Sequence, residues 1–467
     1  MEFNSIIFIC LFFPITFLMN LIVRKKYRNF VLLMFSIIFL FWISFEGLIT
    51  LFILTVINYI MGCLLNRVKR RKAILASGIF INIVSLCYFK YTNFLIDNIN
   101  YFINDKLEQL KILVPIGISF FVFKAISYLI DVYWNKVDYE KNIIDFCLYM
   151  LFFSQVLSGP IIRYVDIKKD LKERSIILKD MNEGLIRFIL GLAKKVIIAN
   201  NLGVIVDTIW SLSTNELSIS VAWIGSIAYT LQIYFDFSGY SDMAIGIAKV
   251  FGFNFKENFN YPYMSTSISD FWRRWHISLS SWFKDYIYIP LGGSRTGNVY
   301  FNIFVVFLIT GIWHGSAWNF IIWGIWNGFF NIMEKYFASK GQVIGKGNKI
   351  KIYVSRIYTL LVVNLGWVFF RAPDLNSAIK YIYTMFGFGN ANMVSYSASW
   401  FLDNFTIMLF ITALIFSVPY LKNKYQKMFV NNYLRYIVEK LVLIALFIIC
   451  FMTVISSSYS SFIYFQF

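Results

Sequence analysis

An all-α, polytopic membrane protein is what this sequence predicts, on three observations. Apolar runs of roughly 20 residues, the length that carries a helix across hydrocarbon, recur along the chain. Charged residues make up only 15% of the 467, where a soluble domain typically has about 25%. The 43 basic residues outnumber 25 acidic ones, for a net charge of +18, and they gather in short segments between the apolar runs. Such clustering is the positive-inside pattern of membrane proteins. It removes the nucleic-acid reading that the same charge would suggest in a soluble chain.

The runs follow in order. Residues 5–23 form a first span. No basic segment precedes it, and Arg24, Lys25, Lys26 and Arg28 follow, so it reads as a retained helix and not a cleaved signal peptide. Residues 30–65 accommodate two short spans with Glu46 between them. Further spans are expected at 73–96, 114–133, 143–162 and 221–250, a helical pair at 299–337, and single helices at 353–370, 400–421 and 441–456. Residues 180–202 are amphipathic with basic ends and predict an interfacial helix. Residues 258–293 mix aromatics, arginines and prolines and predict broken or re-entrant helices, which membranes tolerate only where protein or a water-filled cavity covers the backbone. The total expected is about 10–13 membrane helices in one domain, 1–467.

Basic loops at 24–28, 67–72, 163–195, 335–351 and 422–440 are expected to face the cytoplasm. The basic-poor loops 97–111, 207–220 and 373–399 are expected outside, together with both termini. Cys10, Cys63, Cys87, Cys147 and Cys450 all lie in apolar runs. No Cys-x-x-Cys and no Cys/His cluster occurs, so neither a metal site nor a disulfide framework is suggested.

The chain has only two histidines. His276 stands in Phe271-Trp-Arg-Arg-Trp-His-Ile-Ser-Leu-Ser280 and His314 in Gly311-Ile-Trp-His-Gly315. Imidazole is the side chain best suited to proton transfer near neutral pH, and ionisable groups at membrane depth are costly enough to be functional candidates by default. The bland alternative for His314 is a neutral core histidine bonded to Thr310, one turn earlier. Gly311 and Gly315 give its helix a small face for close packing, which sets His314 against a neighbouring helix. For His276 the alternative is an aromatic belt with Trp272 and Trp275, in which Arg273 and Arg274 snorkel to the interface. Asp236 and Asp242, in an apolar helix, are candidates for support of the site or, more simply, for structural pairing with Arg273 or Arg274. Asp285 has the same two readings.

These residues lie in blocks that resemble one family. Asp236-Phe-Ser-Gly-Tyr-Ser-Asp242, Glu257-Asn-Phe-Asn-Tyr-Pro-Tyr263, the His276 block, Tyr288-Ile-Pro-Leu-Gly-Gly293 and the His314 block follow the order found in bacterial membrane-bound O-acyltransferases (MBOATs). They are most similar to the membrane subunit of alginate O-acetylation and its relatives in other polysaccharide O-acetylation systems. Pro115-Ile-Gly-Ile-Ser-Phe120 and Ser158-Gly-Pro-Ile-Ile-Arg-Tyr164 agree, so the resemblance spans most of the chain.

The resemblance implies an MBOAT fold, a ring of tilted helices around a central tunnel, in a bacterial plasma membrane. It implies His314 as the signature catalytic histidine and His276 as the second polar position of the site. A cytoplasmic funnel would admit an acyl thioester such as acetyl-CoA as a substrate donor, with no cofactor bound and no metal. An outer cavity would admit the polysaccharide acceptor. Arg273 and Arg274 would hold donor phosphates if they face that funnel. The hexapeptide 462–467 resembles an aromatic C-terminal segment of envelope-acylation systems. There Tyr464 would take the acyl group and pass it to a surface or periplasmic hydrolase-fold acetyltransferase; the simpler reading is an aromatic anchor. Rival readings are D-alanyl transfer to teichoic acid, a polysaccharide transporter or flippase, and a silent scaffold. Transporters often carry inverted repeats with paired broken segments, whereas a single broken region and no repeat are apparent here.

Overall fold

The computed structural model describes residues 1–103, 106–388, 396–419 and 432–456. Among these the secondary structure is helical, apart from one isolated bridge between Leu217 and Tyr396. Six helices are long and apolar enough to cross a membrane: Lys25–Ile43, Phe45–Arg67, Arg71–Asn100, Leu178–Trp210, Lys349–Arg371 and Tyr436–Ser456. Three shorter apolar helices, Phe8–Ile22, Val299–His314 and Asn404–Phe416, accompany them. Only 6% of the Tyr436–Ser456 span is buried within the protein, with Ile444, Ile448, Met452 and Ile455 exposed. Soluble monomers rarely expose so much contiguous apolar surface; lipid is its natural cover.

The chain divides into two compact units. One comprises residues 1–190 with 240–257, the other 191–239 with 258–467. In the first, Phe3, Phe8, Phe12, Phe39 and Phe153 pack ring against ring. The two short spans expected within 30–65 are Arg28–Ile43 and Phe45–Arg67. Ser44 separates them and caps the second by accepting the Gly47 amide at 3.0 Å, with Glu46 in the first turn, where the helix dipole favours an acid.

The span expected at 143–162 is not one helix. It stops at Leu151, Phe152 adopts an extended ψ of 120°, and one further turn, Phe153–Val156, precedes irregular chain. A helix end frees carbonyls that must find donors. Here Gln155 donates to Tyr149 O at 2.7 Å, and the buried ammonium of Lys124 donates to Met150 O at 2.9 Å. Gly117 makes the matching close approach: at φ +81°, a Cβ would stand 2.1 Å from Val156 O. Composition shows an apolar run but not this break.

The expected interfacial helix at 180–202 is also corrected. It belongs to a continuous helix, Leu178–Trp210, long and apolar enough to span. Its basic pair Lys194–Lys195 sits at the start of a π-turn, Lys194–Ala199, a widening that often marks functional positions. The Lys195 ammonium lies at no interface: it is buried against the Asp236 carboxylate. In the second unit the chain at 258–293 is broken, as expected. A 3₁₀ turn Pro262–Met264, helices Ile268–Arg274 and Ile277–Phe283, and a π-turn Lys284–Tyr288 succeed one another.

Candidate active site

Both histidines belong to the second unit and both are buried, His276 fully and His314 to 5% exposure. His314 is the last residue of helix Val299–His314, and Gly315 turns the chain into extended backbone before helix Trp318–Ser339. The two helices meet at glycines. A Cβ on Gly311 would lie 2.6 Å from Phe320 O, and one on Gly324 would lie 2.5 Å from Phe307 O. The small face read from the sequence therefore does what it was expected to do. It seats His314 among rings: Trp323 edge-on at 4.9 Å, Phe370 at 5.1 Å, and its own neighbour Trp313 at 4.7 Å. The Thr310 hydroxyl donates to Val306 O at 2.7 Å.

His276 sits between the two short helices as the N-cap of Ile277–Phe283, with φ 43° and ψ 55°. A left-handed backbone at a non-glycine residue is held only when its surroundings over-determine it, and such strain clusters at functional sites. The surroundings here are specific. The buried Asn258 carboxamide oxygen lies 3.2 Å from His276 Nδ1 and accepts from the Ser278 amide at 3.2 Å and from the Ser278 hydroxyl at 2.9 Å. The Ile277 amide donates to Asn258 O at 2.9 Å. Phe237 closes the cluster, edge-on to the imidazole at 4.7 Å.

The structure links the two imidazoles through aromatic rings. His276 meets Phe237, Phe237 lies 5.0 Å from Phe259 and Phe259 lies 5.1 Å from Trp275. Trp275 lies 4.9 Å from Trp367; Trp367 stacks on Trp323 at 5.9 Å; and Trp323 meets His314. Helix Trp318–Ser339 holds both ends of this chain of rings. Its Trp323 touches His314, while Asn327, Asn331 and Glu334, further along, grip the helix that leads to His276. Trp272 Nε1 donates to Asn327 Oδ1 at 3.2 Å, and the Ser269 hydroxyl donates to Asn331 Oδ1 at 2.8 Å. The Ile268 and Ser269 amides donate to Glu334 at 2.6 and 3.0 Å. A buried carboxylate on the first amides of a helix satisfies orphan donors and complements the dipole. Asn258 enters the sequence reading only as part of the 257–263 block, and Trp323, Asn327, Asn331 and Glu334 do not enter it. Their signal was available: Trp323, Asn327, Asn331 and Glu334 recur at helical spacing in an otherwise apolar run.

The two arginines diverge. Exposed Arg273 lines a cavity of about 340 Å³ together with Lys284, Ser280 and Thr310, the residue one turn before His314. Arg274 pairs with Asp270 at 3.1 Å and lines another cavity of about 430 Å³ with Arg356, Thr266 and Tyr261.

Neither aspartate of the Asp236 block pairs with these arginines, contrary to the structural alternative drawn from the sequence. Asp236 bonds Lys195 at 2.6 Å, both side chains 2% exposed. Asp242 belongs to the first unit, where Arg187 binds it at 2.8 and 3.0 Å and also holds Glu257. The reason is helical phase: on the apolar helix Ile219–Val250 the two residues are six apart and face different neighbours. Asp285 is half-buried in the π-turn Lys284–Tyr288. Tyr464 lies outside the described residues.

Comparisons with known proteins give the family. The model of the membrane-bound O-acyltransferase family matches residues 4–340. A probable alginate O-acetylase of Azotobacter vinelandii is 40% identical over 402 residues, covering 84% of this chain and 79% of the relative. The peptidoglycan O-acetyltransferase of Helicobacter pylori is 34% identical over 463 residues, covering 90% and 86%. The teichoic acid D-alanyltransferase of Bacillus subtilis is 29% identical over 240 residues, covering 47% and 60%. With a family match over residues 4–340, relatives at 34–40% identity over most of the chain, and an all-α, multi-pass architecture, the chain belongs to the membrane-bound O-acyltransferase family.

Proposed function

We propose that this enzyme transfers an acetyl group from a thioester donor on the cytoplasmic side to a hydroxyl of an envelope or exported polysaccharide on the outer side. The observation that carries the reading is the seat of His314: a buried imidazole at a helix break, with Thr310, one turn away, opening on a cavity that also presents Arg273 and Lys284. His314 acts as general base. It takes the acceptor hydroxyl proton as the oxygen attacks the thioester carbonyl, and returns it to the departing thiolate as the carbon–sulfur bond breaks. The walls of Trp323, Phe370 and Trp313 keep bulk water from the thioester. Arg273 and Lys284 hold phosphate of the donor, acetyl-CoA being the simplest. The Asn258–His276–Ser278 cluster orients the acceptor. Alginate-type and peptidoglycan acceptors are both supported by the relatives.

General-base catalysis is worth typically 10²–10⁴-fold. His314→Ala is therefore expected to lower acetyl transfer in isolated membranes by at least about 10²-fold at unchanged protein level, read with labelled acetyl-CoA and the cell's own glycan. Wild-type transfer by that variant would overturn the assignment. Supplying a D-alanyl carrier in place of acetyl-CoA tests the rival donor directly.

In a relay version of this proposal, the attacking hydroxyl is that of Tyr464, which takes the acetyl group as a tyrosyl ester, and a hydrolase-fold acetyltransferase at the cell surface moves the group on to the polysaccharide. Intact mass spectrometry after donor labelling without acceptor is expected to show one ester on Tyr464. Its absence under conditions that label the wild-type glycan would remove the relay.

A further inference from the structure

A third, strongly basic cavity lies in the first unit and plays no part in the chemistry above. It measures about 860 Å³ and is lined by Lys69, Arg70, Arg71 and Lys72, by Ala73 and Ala76, and by Tyr133, Trp134 and Asn135. No acidic residue lines it. Lys69, Arg70 and Lys72 form no ion pair among the described residues, although cations crowded in sequence repel one another unless an anion sits between them.

Arg71 serves another purpose, holding the wall in shape. Its guanidinium donates to Val132 O, Tyr133 O and Asn135 Oδ1 at 3.0, 3.1 and 2.8 Å. These are acceptors at the end of helix Ile118–Tyr133, where Asn135 takes a left-handed φ of 57°. The wall is thus built, and the three neighbouring cations are left to face the cavity. Lys136, the next residue, is already paired: its ammonium lies 3.7 Å from Asp131 and 4.3 Å from the Trp134 ring centroid.

The position decides what kind of anion fits. The cavity lies where helix Phe45–Arg67 ends and Arg71–Asn100 begins, both of spanning length. It therefore opens at the level of the headgroups. Tryptophan and tyrosine prefer that depth, and basic pockets beside membrane helices attract anionic lipid there. Ala73 and Ala76 provide apolar floor for a glycerol backbone, which a free phosphate would not need.

We propose that this cavity binds the phosphodiester of an anionic phospholipid, with Lys69, Arg70 and Lys72 as the phosphate ligands and Trp134 and Tyr133 against the glycerol. The site would anchor the ends of two spans to one lipid.

The test uses the full chain, purified in detergent and exposed to phosphatidylglycerol or phosphatidylcholine, with retained lipid counted by native mass spectrometry. Retention of phosphatidylglycerol over phosphatidylcholine by about tenfold or more is expected, given three cations each favouring an anionic headgroup. The preference should collapse in Lys69→Gln/Arg70→Gln/Lys72→Gln, which leaves Arg71 in place. Equal retention of the two lipids by the wild type, or an undiminished preference in the variant, overturns the proposal. So does displacement by millimolar inorganic phosphate, which would assign the site to a free anion, or capture of an acidic carrier protein there without lipid preference. If the variant fails to fold, a photoreactive phosphatidylglycerol on the wild type decides. Labelling within 69–76 or 133–135 supports the site, and labelling confined elsewhere overturns it.

Discussion

Asn258 shows how one side chain determines the state of another. Its carboxamide oxygen binds the Ser278 amide and hydroxyl and faces His276 Nδ1, so it fixes the orientation of a buried imidazole whose backbone is already strained. Lys195 and Asp236 show the cost side of burial. Each is 2% exposed and their oppositely charged atoms are 2.6 Å apart. Removing one partner of such a pair typically costs about 3–5 kcal/mol, because the other charge stays buried and uncompensated, whereas replacing both with apolar groups is often neutral. Lys195→Met is accordingly expected to lower thermal stability in detergent sharply, and Lys195→Met/Asp236→Leu to recover most of it. Equal losses in the single and double variants would mean that the pair contributes through something other than its charges.

Helix Trp318–Ser339 is the element on which the site depends. One stripe of it touches His314 through Trp323 and grips the His276 segment through Asn327, Asn331 and Glu334. Its contact with Val299–His314 relies on Gly311 and Gly324, where there is no room for a methyl group. Gly324→Ala would push the Phe307 carbonyl and with it the helix that ends in His314. Overpacking of this kind costs typically about 1–3 kcal/mol, and displacements of about 1 Å near a reacting centre can cost 10²-fold in rate. The expected result is a modest drop in unfolding temperature with a much larger drop in acetyl transfer. A fall in stability with transfer intact would separate this packing from catalysis. The pairing of these helices was legible beforehand from Gly311-x-x-x-Gly315 and the adjacent apolar run. The polar stripe at helical spacing was legible too, but it does not announce its partner. Breaks such as that after Leu151 were not legible, because apolar composition is the same on both sides of Phe152 and the donors that permit the break, Lys124 and Gln155, act through the fold.

Across the molecule, the distribution of basic residues predicts orientation. The loop that carries Lys340, Lys346, Lys349 and Lys351 is expected on the cytoplasmic side, and the loop around Glu108 outside. Single cysteines at Lys346→Cys and Glu108→Cys, in a cysteine-free background, should react with a membrane-impermeant maleimide from opposite sides of the membrane. Labelling of both from one side would refute the orientation and with it the direction of transfer. What the amino-acid order decided is local and compositional: where spans of sufficient length occur, that the chain breaks within 258–293, and which two imidazoles sit in recognisable blocks. Partner choice was decided only in three dimensions. Lys195 and not Arg273 answers Asp236, Arg187 answers Asp242, and Asn258 answers His276. Helical period is a property of neighbouring residues and survives in the sequence. Which distant side chain meets a buried charge depends on how separate helices pack, and no short stretch of chain records that.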